Sequence, residues 1–201
     1  MRSLALAALV GLAGPAAAQD PAARVAITVE LKHGTGDEAA TRTRLLGLLE
    51  KYDVSQWLFT KSVLVDNAQT PHSHPVLTLN TRYSDLPLLA TFLHEQMHWR
   101  VDELKDEHAK AAMAEFRRLF PDAPGREGGG ARDVFSTYLH LIVCHLELQA
   151  VTQLVGESQA RQVLREWTHY PWIYSRVLED PRIREVNRRH GFIAEQLRRG
   201  P

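Results

Sequence analysis

Leu93-His94-Glu95-Gln96-Met97-His98 is the stretch on which this chain turns. Residues four apart share one face of an α-helix, so a helix here would aim two imidazoles at one point. The flanking sequence predicts that helix from Leu86 to Phe120, because Leu89, Leu93, Met97, Val101 and Leu104 recur at helical spacing. Asp85 is placed as its N-cap, Pro87 fits the first turn, and Pro121 stops it. His94 and His98 each follow a stripe residue, Leu93 and Met97, so they border the buried side. Two histidines so placed could hold a zinc ion, with Glu95 beside them to accept a proton from water on the metal.

Upstream, Arg24 to Leu31 alternates around Val25, Ile27 and Val29 and reads as a strand. Asp37 to Lys51 reads as a helix, Trp57 to Val65 as a second strand and Pro75 to Asn80 as a third. Downstream, Pro121 to Arg132 contains Pro124 and Gly128-Gly129-Gly130, and is expected to be the most flexible internal segment, a lid or a cleavable loop. Asp133 to Val155 reads as a second long helix, followed by helices over Glu157 to Trp167, Trp172 to Glu179 and Pro181 to Arg199. A small N-terminal β-sheet packed on the motif helix, with a mainly helical C-terminal half, is an α+β arrangement in a single domain over 19–201.

The second long helix is apolar on most sides from Leu139 to Val155, yet it carries His140, His145 and Glu147. A buried carboxylate without a partner is costly, and a nearby metal would offset the cost. At about 100° per residue, His140 and Glu147 lie about 20° apart around the axis and about 10 Å apart along it. His145 points to the opposite side. One of His140 and Glu147 is therefore expected to ligate, and the other to support the ligands or the substrate. Asp102 continues the four-residue series from His94, but stands about 12 Å away along the helix, too far to share an ion.

The H-E-x-x-H helix followed by a carboxylate on a later helix resembles the zincin metallopeptidases, in their gluzincin arrangement, over roughly Val25 to Val155. That resemblance implies a twisted sheet on the motif helix, a strand near the cleft able to pair with an extended peptide, and peptide-bond hydrolysis. It implies one Zn2+ per chain on His94, His98 and Glu147, Glu95 as general base and later acid to the leaving amine, and His140 as donor to a developing oxyanion. The chain departs from the pattern in two places. Leu146 precedes Glu147 where Asn is expected, and Val151 stands where an Asp would orient the first histidine. The orienting group is thus unassigned, and His140 as the third ligand and Glu147 as a structural carboxylate stay open.

Other polar groups carry blander readings. His72-Ser73-His74 is expected to shape a cleft edge, His169, Tyr170, Trp172 and Tyr174 to pack, and His190-Gly191 to end a helix. The lone cysteine, Cys144, excludes an internal disulfide and reads as a small core residue.

Met1-Arg2, the apolar run Leu4 to Gly14 and Ala16-Ala17-Ala18 form a signal peptide over 1–18, which places the mature protein in a periplasm or outside the cell. No other segment is expected to serve as a permanent membrane anchor. With 24 basic and 24 acidic residues there is no nucleic-acid footprint. The expected partner is a peptide or protein substrate. The competing readings are an exported metal-binding protein without catalysis, and a metal-free helical binding module.

Overall fold

A long apolar helix with every side engaged organises the protein. The computed structural model describes residues 27–103 and 107–193. The expected signal peptide, residues 24–26 of the first expected strand and residues 194–199 of the last expected helix lie outside them.

Three short strands, β1 (Thr28–Leu31), β2 (Ser62–Val65) and β3 (Leu77–Leu79), form a parallel sheet in the order β1-β2-β3. Helix α1 (Gly36–Lys51) connects β1 to β2 and begins in a capping box, with Thr35 accepting from the Glu38 amide. The strands are shorter than the alternation suggests. Residues 55–57 form a 3-10 turn that buries Trp57, and Gln96 holds the stretch before β2. The Gln96 Oε1 atom accepts from the Phe59 and Thr60 amides, and its Nε2 donates to the Thr60 carbonyl.

The edge of β3 is already taken. Thr78 exchanges both backbone hydrogen bonds with His72, at 3.1 and 2.8 Å. Thr78 is the middle residue of this three-residue strand, and its outward groups are the ones a docked peptide would need. At that position the β3 edge is filled by the chain itself, and β1 forms the other edge of the sheet.

The expected helix from Leu86 to Phe120 is two elements, α2 (Asp85–Glu103) and α3 (Glu107–Leu119). Helix α2 packs on α1, β3 and α4, and α3 packs on α4 and α7. Asp85 is the first residue of α2 rather than its cap, and the Ser84 carbonyl accepts the Leu88 amide.

Helix α4 (Val134–Val155) is capped by Asp133, whose carboxylate accepts from the Ser136 amide. By length and composition α4 could cross a membrane, which qualifies the expectation of no second apolar segment, but 67% of its most apolar window is buried inside the protein. Around it pack α2, α3, α5 (Glu157–Arg165), α6 (Pro171–Glu179) and α7 (Pro181–Arg189). Helix α7 ends ten residues earlier than the sequence pattern suggests. His190 follows it and pairs with Glu115 on α3 at 3.0 Å, and Gly191 adopts a positive φ.

The seven α-helices among the described residues therefore outweigh the sheet, in a mixed helix-and-strand fold. The core runs along both faces of α4, from Leu89, Leu93 and Met97 on α2 to Ile173 and Ile183 on α6 and α7.

Candidate metal centre

Polar side chains interrupt the apolar seam between α2 and α4 at one place. His94, His98 and His140 bring one ring nitrogen each to within 4.8 Å of the others. Their ring centroids lie 4.9 to 5.6 Å apart. His94 and His140 are buried and His98 is half-buried.

The outer nitrogens of two of these rings are already committed. His94 Nδ1 meets Glu147 Oε2 at 2.9 Å, so the ring donates there. His140 Nδ1 meets the Ser136 carbonyl at 2.7 Å, and that ring donates there too. Histidines that bind metals are held in this manner, with one nitrogen tied to a carboxylate or carbonyl and the other free to ligate.

Glu147 thus occupies a different place from the one the resemblance implies. It is fully buried and engages the far edge of the His94 ring, while His140 stands with the ligating edges. Glu147 belongs, with His94 and Cys144, to a second set of groups that could hold a metal, and it is the carboxylate that touches the His94 ring.

Two aromatic donors complete its shell. Tyr174 donates to Glu147 Oε2 at 2.8 Å, and Trp167 Nε1 approaches Oε1 at 3.4 Å. Tyr174 is therefore more than packing. Three partners satisfy a carboxylate that would otherwise be costly inside the core. Cys144 is buried beside the same pair, within 4.8 Å of His94 and Glu147, and burial raises its thiol pKa.

Electrostatics separate the three histidines. Burial alone would lower His94, but the Glu147 charge and hydrogen bonds to Cys144 and Glu147 lift it well above the ordinary value. Burial, with repulsion from His94 and His140, pushes His98 well down. Burial and the His94 charge bring His140 to about 3, although its bond to Ser136 opposes them. His98 and His140 are hence neutral at pH 7, the form in which imidazole ligates, whereas His94 keeps its proton beside Glu147 and would have to release it to ligate.

Glu95 is buried beside this cluster and faces a cavity of about 720 Å3. Burial raises its pKa to about 7; His94 and His72 counter that rise and Glu147 adds to it. The cavity is walled by Thr70 and Pro71, by α2 through Thr91 and His94, and by residues 167–171. Tyr170 is the only non-glycine residue with positive φ among the described residues, at 55°, and its ring centroid lies 4.7 Å from that of His140. An aromatic residue in the left-handed region is strained backbone, held here by the packing around it.

The remaining wall comes from the glycine-rich loop, which is not the flexible segment expected. A Cβ on Gly130 would come within 2.1 Å of the Pro124 carbonyl, and one on Gly128 within 2.4 Å of the Pro124 ring. Gly129 adopts φ 85° and its carbonyl accepts from the Trp172 amide. Thr137 ties the segment to α4, accepting from Ala131 and donating to Pro124. These glycines permit close packing rather than motion.

Other sequence candidates fall outside the cluster. His74 stacks on Trp99 at 4.3 Å and pairs with Asp102 at 2.9 Å, while Trp99 donates to the Ser73 carbonyl. The His72-Ser73-His74 segment is thereby fastened to the last turns of α2. His145 is buried on another side of α4, its Nε2 unpartnered and its pKa lowered by burial to about 4. No protein-family model, curated protein or solved structure matches this chain.

Proposed function

We propose that the protein is a metal-dependent hydrolase, acting on peptide bonds, with its ion held by His94, His98 and His140. The observation that supports this most is the convergence of three imidazoles, two with their outer nitrogens already tied to acceptors. Three histidines suit zinc, with a fourth position left for water or substrate. The first expectation of Glu147 as ligand gives way to Glu147 as the group that orients His94.

A zinc ion at that point would acidify water and polarise a substrate carbonyl. Glu95 takes the proton from the attacking water as its oxygen bonds to the carbonyl carbon, and passes it to the amine as the C–N bond breaks. Glu95 has no hydrogen-bond partner among the described residues, which leaves its carboxylate available to water in the cavity. The N-terminal segment read as a signal peptide makes an exported setting part of the same proposal.

Glu95→Gln tests the chemistry. The expected result is full metal content with hydrolysis reduced by about 10²–10⁴-fold. Undiminished hydrolysis would remove Glu95 from the mechanism. Metal bound by wild type, with no turnover across a peptide library, would support sequestration instead.

A further inference from the structure

The cavity beside the candidate centre has an uneven charge distribution. Arg126 is the single lysine or arginine on its wall among the described residues. Its side chain makes no ion pair or hydrogen bond there, whereas Arg132, Arg161, Arg182, Arg188 and Arg189 each pair with a carboxylate. The loop that carries it is fixed at both ends. Gly128 and Gly129 amides donate to Gly125 and Arg126, the Gly130 amide to Gly125, and the Trp172 amide to Gly129. The same loop makes the closest backbone approaches among the glycines, at Gly128 and Gly130. Arg126 is exposed, and it sits on the wall of the chamber beside the candidate centre.

We propose that Arg126 is a specificity residue that binds the C-terminal carboxylate of a short peptide, so that the site favours free-ended peptides over internal segments of long chains. This rests on the proposed hydrolase reading. A guanidinium offers a planar pair of N–H donors matched to a carboxylate, which neutral wall groups such as Thr70, Tyr83 and Thr168 do not. About 720 Å3 lies within the range of small-ligand chambers, and Thr78 on the β3 edge is already bridged to His72. Glu127, the neighbouring wall residue, opposes a second negative charge. The subsite thus accepts one carboxylate rather than an acidic stretch.

The test is binding, measured apart from turnover. Acetyl-tetra-alanine as its free acid and as its C-terminal amide would be titrated against zinc-loaded Glu95→Gln protein, by isothermal titration calorimetry. The free acid should bind more tightly by up to about fivefold, the upper end for a solvent-accessible ion pair. Arg126→Ala in that background should bring the acid down to the amide, and Arg126→Lys should restore part of the difference. Equal binding of acid and amide, no binding of either, or a preference that survives Arg126→Ala would overturn the assignment. Failure of the hydrolase reading would show separately, as wild-type protein that binds the free acid through Arg126 yet never cleaves it.

Discussion

Of the three sets of potential metal ligands among the described residues, two share no residue, and they differ in what their donors are already doing. His33, Glu38 and Asp66 meet at the start of α1, and His94, His98 and His140 meet between α2 and α4. Glu38 accepts from the backbone amides of His33, Thr35 and Asn67 at 2.9 to 3.2 Å. Burial by itself would raise its pKa, but those donors hold it below the usual carboxylate value. The Asp66 carboxylate accepts from the Ala68 amide and lies 3.4 Å from His33. That cluster is a helix cap, with its oxygens spent on backbone. In the second cluster the hydrogen bonds of His94 to Glu147 and of His140 to Ser136 fall on Nδ1, and a second ring nitrogen remains on each. Proximity is common to both; unspent donor atoms distinguish a candidate site from a structural knot.

Substitutions can break this contrast, and the largest effect is expected at Glu147. Glu147→Ala should weaken zinc binding by about 10–100-fold without abolishing it, as losing an orienting carboxylate does. Competition with a chromogenic chelator measures it.

A second test uses acid. His145, on α4 but outside both clusters, stays neutral in the folded protein down to about pH 4, below its ordinary 6.5. Above 6.5 it is neutral in both states and has no effect. As pH falls from 6.5 towards 4, the unfolded chain takes a proton that the folded one refuses, so stability drops, by about 2 kcal/mol at pH 5. Urea titrations at pH 7 and pH 5 should show that loss, and His145→Leu should remove its share.

Smaller effects sharpen the comparison further. Tyr174→Phe deletes one donor to Glu147 and keeps the ring, so zinc affinity should fall only about threefold. Glu38→Ala should lower Tm by a few degrees through loss of the cap, with metal content unchanged. A loss of metal in Glu38→Ala would mean that the two clusters had been misread.

The sequence made the seam legible because helical spacing is local. His94 and His98 at i and i+4, the apolar stripe beside them and the polar residues buried in α4 all follow from periodicity. The assignment within the seam was not legible, because it depends on how two helices pass each other. His140 and Glu147 share a face of α4, and only the packing puts one at the inner edge of the His94 ring and the other at its outer edge. Gly128-Gly129-Gly130 misled for a related reason: glycine marks flexibility and close approach alike, and the contacts of Pro124 and Trp172 decide between them. Tyr174 and Trp167 carried no polar signal at all until Glu147 was seen between them.

The most direct measurement is zinc stoichiometry, by elemental analysis, of purified wild type, His140→Ala and Glu147→Ala proteins. The account predicts about one zinc per chain in wild type, loss in His140→Ala, and retention under saturating zinc in Glu147→Ala. Zinc kept by His140→Ala and lost from Glu147→Ala would restore Glu147 as the ligand. A wild type that takes up no metal would contradict the centre altogether.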